Sequence, residues 1–348
     1  MIPTNMSEQE SKLGQLMMIP LFAGEDPETT VIPLIRNYEV GSIILLGHWK
    51  GGIEEVRHVT QILQDAALHG DLIIAVDQEG GAIQHLEGPG FDTIPAATIQ
   101  GSMSYDVLHR QALRWGSQLR QAGINMNLAP VTDSVAPEHR DDNAPVGALN
   151  RDFGLDPQGN ASHAAAFVDG MHEAGVGATL KHYPGLGFIK ENTDFADTGI
   201  TDEMTAIDSP SACAFIEALK HEPDMVMMSS AIYPRIDPCN PAALSSKLID
   251  HLRNKGFASG VVISDSLSAK AMSHYPCEEI GPKLLKTGID LLCICESTLV
   301  SPIFEGLLHG YRSDSEVRKS VSHSLSRIAA LKHRLGLLSY SGENSSHE

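Results

Sequence analysis

The 348-residue chain carries 44 acidic and 25 basic residues, a formal charge of −19, and a 42% hydrophobic fraction large enough for a sizeable core. Charge of that sign repels phosphate backbones and anionic lipid, which excludes nucleic acid and membrane surfaces as expected partners. The start, Met1 to Gly14, is polar and charged, and no later run approaches the ~18 apolar residues of a membrane span, so the expected location is cytoplasmic.

Short apolar, β-rich runs alternate with longer stretches of helical periodicity, the pattern of repeated βα units around a parallel sheet. In chain order, strands are predicted at 16–21 and 41–46, then a helix at 52–68, a strand at 72–77 and a helix at 104–122. A strand at 124–131 precedes a helix at 157–174, and a strand at 177–182 precedes a helix at 206–220. Three more strands follow, at 224–229, 260–265 and 290–295, with helices at 245–255 and 277–287 between them and a last amphipathic helix over 314–337. Several helices run into a glycine, where a helix is expected to stop. Eight such units close a barrel. The expected fold is therefore α/β, a (β/α)8 TIM barrel forming one domain over residues 1–338, with the polar end 339–348 disordered. A doubly wound open sheet also alternates β and α, but no GxGxxG follows the first run, and polar residues recur at the C-terminal tips of several strands, where barrel sites sit.

The five cysteines form no CxxC pair, and Cys293 and Cys295, two apart on a strand, face the same side; buried free thiols in a reducing cytosol are the simplest account. The 16 histidines show no HxH, HExxH or His–Cys spacing, so no metal is expected. Gly185-Leu186-Gly187 lacks the third glycine and lysine of a nucleotide loop, so no cofactor is expected either.

Ionisable groups gather at strand tips. The third strand ends in Asp77-Gln78-Glu79-Gly80-Gly81, the fifth in Lys181-His182-Tyr183-Pro184-Gly185, and the seventh in Ser264-Asp265-Ser266-Leu267. A carboxylate at such a tip is costly unless paired, and the fifth-strand lysine and histidine would converge on the same mouth. Mutual neutralisation is one account of the pattern; a catalytic site is the other.

Taken in order, these segments resemble the family 3 glycoside hydrolases of the short β-N-acetylglucosaminidase (NagZ-like) type. The likeness includes Ile94-Pro95-Ala96, Gly123-Ile124-Asn125, Asn150-Arg151-Asp152-Phe153-Gly154 and Gly288-Ile289-Asp290, and reaches almost to the last helix. The resemblance implies a retaining glycosidase acting on terminal β-linked N-acetylglucosamine of peptidoglycan or chitin fragments. In it Asp265 is the nucleophile, and Asp77, Arg151, Lys181 and His182 are the residues around the sugar. An arginine or lysine near Asp265 would help keep that nucleophile ionised. The expected partner is a small carbohydrate, with the chain a monomer or weak homodimer.

One departure limits the likeness. The family's acid/base histidine belongs to the loop after the fifth strand, and residues 185–197 contain no histidine. A carboxylic acid in the same loop can take that role if burial raises its pKa, with Asp194 the first choice over Glu191 and Asp197. An Asn-Thr-Asp turn that merely caps backbone is the competing reading of Asp194. The protein could instead bind sugar without efficient turnover, or depend on good leaving groups or phosphate as acceptor. Ala82 and His85 stand where relatives commonly have arginines, which leaves a β-glucosidase open as well.

Overall fold

A computed structural model describes residues 6–68, 71–198 and 200–338 of the chain. The expected tail at 339–348 lies outside the described residues. Eight parallel strands form one sheet: β1 (Met17–Phe22), β2 (Ser42–Leu46), β3 (Ile73–Val76), β4 (Met126–Asn127), β5 (Gly177–Tyr183), β6 (Met225–Met228), β7 (Val261–Ser264) and β8 (Leu292–Cys293). Each pairs with its chain neighbour, for example Ile19 with Ile43 and Ile263 with Met227, while β1 also pairs with β8 at Met17–Leu292. A bridge from Ile263 to Leu291 joins β7 to β8 and closes the ring. The fold is thus the (β/α)8 barrel that the alternation of runs predicts.

The strands are apolar throughout because a parallel barrel buries both faces, one in the barrel and one under the helices. Each strand is followed by a helix: α1 (Ile32–Tyr38), α2 (Gly52–Ala66), α3 (Tyr105–Gln121), α4 (Pro157–Glu173), α5 (Pro210–Ala218), α6 (Ser246–Asn254), α7 (Cys277–Thr287) and α8 (Val300–Ser313), before a final α9 (Ser315–Arg334). Helix α3 shows how the sequence sets the packing: Leu108, Ala112, Trp115 and Leu119 recur at helical spacing, are buried, and bring Trp115 to 6.3 Å from Phe167 of α4, centroid to centroid. Helix α4 is fixed at its start by Pro157 at the first position and by the Asp156 carboxylate, which accepts the Gly159 N–H at 2.7 Å. Helix α7 stops at Gly288, whose φ of 105° is open to glycine and strained for other residues.

Three expectations are corrected in detail. The predicted helix 206–220 begins only at Pro210, which has no N–H to continue a helix from Ala206; Ser209 instead closes a turn onto the Ala206 carbonyl. The predicted strand 124–131 is regular only at Met126–Asn127, since Pro130 offers no ladder donor, and pairing resumes at Val131 with Lys181. All five cysteines are free, but only Cys293 is buried, and Cys213 and Cys239 are exposed. Helices α1 and α8 were not anticipated.

The two barrel ends differ in chemistry. At the N-terminal end, buried Asp290 accepts from Arg253 at 2.5 Å, Arg327 at 3.0 Å and Ser324 at 2.9 Å, tying α6 and α9 to the strands. That is a structural network. At the C-terminal end, charged side chains turn toward an open cavity.

Candidate active site

A cavity of about 570 Å3 opens at the C-terminal mouth of the barrel, and Asp77, Arg151, Lys181, His182, Asp194 and Asp265 all line it. Size does not single it out. An equally large hollow lies at the N-terminal end beside Asp224 and Arg334, and one of about 830 Å3 lies to the side, apolar, near Phe153 and Met204. Asp224 of the N-terminal hollow is paired with His172 and Arg334, whereas the mouth holds two carboxyl groups in no ion pair among the described residues, Asp194 and Asp265, and it is the face on which barrel enzymes carry their sites.

The site is built around a residue that the sequence reading passed over, Glu79. It sits in the small hairpin after β3, in which Gln78–Gly80 pairs with Ile83–Gln84, and the Gln78 amide braces that hairpin by donating to the Leu86 carbonyl at 2.9 Å. Lys181, 2% exposed, reaches back from β5 to Asp77 at 2.5 Å and Glu79 at 2.6 Å. Arg151, from the loop after β4, grips Glu79 with two donors, Nε at 2.9 Å and Nη2 at 2.8 Å, and gives a third to the Pro145 carbonyl at 2.7 Å. Burial by itself would push the Glu79 carboxyl up; Arg151 and Lys181 outweigh it and hold Glu79 lowered to about 2. Burial likewise opposes the charge of Lys181, and Asp77 and Glu79 reverse that and raise its pKa. Arg151 is raised by Glu79 in the same way, against its own desolvation. Two cations and a buried anion therefore form a fixed floor, with Asp77 at its open edge.

Both cations are spent on that floor. No lysine, arginine or histidine lies within ion-pair distance of Asp265 among the described residues; of the two acids that Lys181 could pair with, it takes Asp77. The reason is depth: Glu79 presents both oxygens inside the wall, nearer the two cations. Asp265 follows β7, where its own N–H donates to the Met228 carbonyl at 3.0 Å and one carboxylate oxygen accepts the Ser266 N–H at 2.8 Å. Its carboxylate faces the cavity, half-buried.

His182 lies beside Lys181 and is oriented by another residue that the sequence reading missed. Asp133, fully buried, accepts from His182 Nδ1 at 2.8 Å and from the His182 backbone N–H at 3.1 Å, and also binds the Leu186 N–H at 3.2 Å. With Nδ1 held, the other ring nitrogen is left to the cavity. A lone aspartate in Val131-Thr132-Asp133 carries no local signal of that role, because its partners lie 49 and 53 residues away.

In the loop after β5 the Asp194 side chain caps no backbone among the described residues. Asn192, not Asp194, does the capping: its side chain accepts the Asp194 N–H at 2.9 Å and its carbonyl accepts from Phe195 and Ala196. The loop is stitched to the stretch after Asp265 by Lys270 N–H to the Asp194 carbonyl and Ala271 N–H to the Thr193 carbonyl, both 3.1 Å. The Asp194 carboxyl is thereby placed on the cavity without a hydrogen-bond partner among the described residues. Desolvation by the surrounding walls and the charge of Asp265 push it up to about 6, against the pull of His182 and Arg151. The side chain itself is reached by cavity water, so the shift comes from the protein mass around the mouth and not from enclosure, and solvent trims it until something fills the cavity. Glu191 and Asp197 do not line this cavity. Of the two altered positions, His85 lines the cavity and Ala82 does not.

The chain resembles known glycosidases in sequence and in fold. The chain matches the description "Glycosyl hydrolase family 3 N terminal domain" over residues 9–331. It is 34% identical to a beta-hexosaminidase of Stenotrophomonas maltophilia (strain K279a) over 280 residues, covering 76% of this chain and 79% of the relative. It is 30% identical to an uncharacterized secreted glycosyl hydrolase of Arthroderma benhamiae over 337 residues, 92% of each chain. The fold is similar to the crystal structure of a beta-N-acetylhexosaminidase from Beutenbergia cavernae, with a TM-score of 0.90 and 34% identity, covering 95% of this chain and all 100% of that one.

Proposed function

The chain belongs to glycosyl hydrolase family 3, and from that footing we propose that it is a retaining β-N-acetylhexosaminidase in which Asp265 is the nucleophile and Asp194 the acid/base. One observation carries the reading: Asp265, with no cation beside it, shares one cavity with Asp194, a carboxyl raised to about 6 that carries far more of its acid form than an ordinary aspartate, so the pair can divide the roles of nucleophile and acid.

In the first step the Asp265 carboxylate attacks the anomeric carbon, the bond to the leaving oxygen breaks, and Asp194 gives its proton to that oxygen. An ester between Asp265 and the sugar results. Ester formation removes the Asp265 charge that helped raise Asp194, so the Asp194 pKa falls and the group is ionised when it must act as base. It then takes a proton from water, whose oxygen attacks the anomeric carbon and frees Asp265. Asp77, at the edge of the charged floor, presents carboxylate oxygens suited to adjacent sugar hydroxyls, and Lys181, Arg151 and His182 supply donors. Glu79 and Asp77 together balance the two cations, so the floor offers hydrogen bonds and little net field.

The substrate class comes from the relatives' names, β-linked N-acetylhexosamine, with small oligosaccharides as the partner. An apolar rim suits a sugar leaving group: of the eight large hydrophobic side chains exposed among the described residues, Phe22, Leu149 and Phe195 border this cavity. Phe195, 83% exposed, follows Asp194 directly, where the apolar face of a departing pyranose would rest. Five free cysteines suit a cytoplasmic setting.

The test is hydrolysis of 4-nitrophenyl N-acetyl-β-glucosaminide and of the corresponding glucoside, with and without phosphate, by wild type and Asp265→Gly. The expected result is faster turnover of the N-acetyl sugar, no phosphate dependence, loss of activity in the variant, and partial return with azide as an external nucleophile. Unchanged activity in Asp265→Gly would sink the assignment, and sugar phosphate as product would make the protein a phosphorylase.

A further inference from the structure

We infer that Cys293 and Cys295 form a thiol modification site, a dithiol that small disulfides oxidise, and that its oxidation disables the neighbouring Asp265. The two sulfurs stand 3.8 Å apart on one side of β8 and its extension, and both side chains border the sugar cavity. Their accessibility differs in the way an attacking and a resolving thiol require, since Cys295 is partly exposed and Cys293 buried. The hydrogen bond with Cys295 and burial both raise the pKa of the Cys293 thiol, so Cys295 reacts first.

The backbone around this pair is sewn to the segment that carries Asp265. Cys293 N–H donates to Ser264 Oγ at 3.0 Å, Leu267 N–H to the Cys293 carbonyl at 2.8 Å, and Cys295 N–H to Ser268 Oγ at 3.1 Å. Asp265 lies inside the stretch that these three bonds hold. Alternate residues of an extended strand are about 6.6 Å apart at Cα, close to the ~6.8 Å upper limit for a disulfide, whose sulfurs must approach to about 2.05 Å. Closing the bridge therefore draws the strand in and pulls on the three bonds, displacing Asp265 from beneath the anomeric carbon.

The chemistry balances with a small disulfide as oxidant. Cys295, as thiolate, attacks one sulfur of oxidised glutathione and expels one glutathione thiolate, leaving a mixed disulfide. Cys293 loses its proton to solvent and attacks the Cys295 sulfur, expelling the second glutathione thiolate. Two electrons pass to the reagent, and the protein keeps one internal disulfide.

The loss of turnover rests on the reading of Asp265 above; the thiol chemistry does not. The experiment incubates the reduced full-length protein with oxidised glutathione, follows hydrolysis of 4-nitrophenyl N-acetyl-β-glucosaminide, and maps the peptides by mass. The expected result is a Cys293–Cys295 disulfide, a fall in kcat on the order of ten- to a hundred-fold as expected for a displaced reacting group, and full recovery with dithiothreitol. Cys295→Ser and Cys295→Ala should each keep their own starting activity through the same treatment. Glutathione found only on the exposed Cys213 and Cys239 would overturn the site, and an internal disulfide without loss of activity would overturn its link to Asp265. If the reduced protein hydrolyses nothing, the functional reading fails by itself, and the mass map still decides whether the dithiol forms.

Discussion

Replacing Asp194 by asparagine keeps the shape of the side chain and removes its proton. With its pKa pushed up to about 6, roughly one Asp194 in ten is protonated at about pH 7, against on the order of one in a thousand for an ordinary aspartate. The environment thus supplies about a hundred-fold more of the acid form, the quantity on which departure of a basic leaving group depends. For Asp194→Asn, kcat/KM on a disaccharide should fall by ~10²–10⁴-fold, while kcat/KM for an activated aryl glycoside, whose phenolate leaves unprotonated, should lose less than about ten-fold; kcat should fall on both, because the second step loses its base. The wild-type profile on the disaccharide should decline as pH rises through about 6, and that limb should be missing from the variant. Stability follows pH in the same direction. A carboxyl raised in the folded state favours folding fully below its unfolded pKa, and that contribution is lost as pH rises through about 6. The asparagine variant should therefore match wild type at about pH 3.5 and melt slightly higher above about pH 6, by a small margin because cavity water screens the charge. Steady-state kinetics on both substrates and thermal melts across pH check this. Wild-type rates on the disaccharide, or a surviving limb near pH 6, would refute the role of Asp194.

Lys181→Met should leave the buried Glu79 and the half-buried Asp77 without their shared cation and cost ~3–5 kcal/mol in denaturant unfolding. Because Glu79 is lowered to about 2, its contribution is present above its ordinary value and lost as pH falls through about 2, so Lys181→Met should unfold at a higher pH on acid titration than wild type. Asp133→Asn should weaken the hold on His182 and cost ~1–3 kcal/mol in kcat/KM, with the circular dichroism spectrum unchanged; a kcat/KM equal to wild type would show that His182 needs no such orientation. Phe195→Ala should lower kcat/KM for a disaccharide by up to about ten-fold, the worth of one aromatic face, and leave inhibition by free N-acetylglucosamine unchanged. Equal losses in both would place Phe195 against the reacting sugar instead.

The barrel was legible because each strand announces itself locally: Ile43-Ile44-Leu45 and Val261-Val262-Ile263 are short, β-branched and bounded by polar turns, and α3 repeats its buried face at helical spacing. Helix α1, only seven residues long, is too short for periodicity to reveal. The strand tips were legible for a similar reason, since Asp77, Lys181, His182 and Asp265 each end an apolar run. Barrel geometry brings all such ends to one mouth.

The pairing of those charges was not written locally. Arg151 and Glu79 lie 72 residues apart, and Lys181 and Asp77 lie 104 apart. Nothing short-range distinguishes Glu79, which takes both cations, from Asp265, which takes neither. The same holds for Asn192 and Asp194: either can cap the turn, and only the folded loop decides that Asn192 does so and that the Asp194 carboxyl is left on the cavity. Apolar periodicity is a property of neighbours along the chain, so the sequence by itself determined the strands, the helices and the face on which the chemistry stands. Charge compensation and desolvation depend on distances in space and on what surrounds each group, so the tertiary structure alone decided which acids are neutralised, which is raised, and which remains open to a sugar.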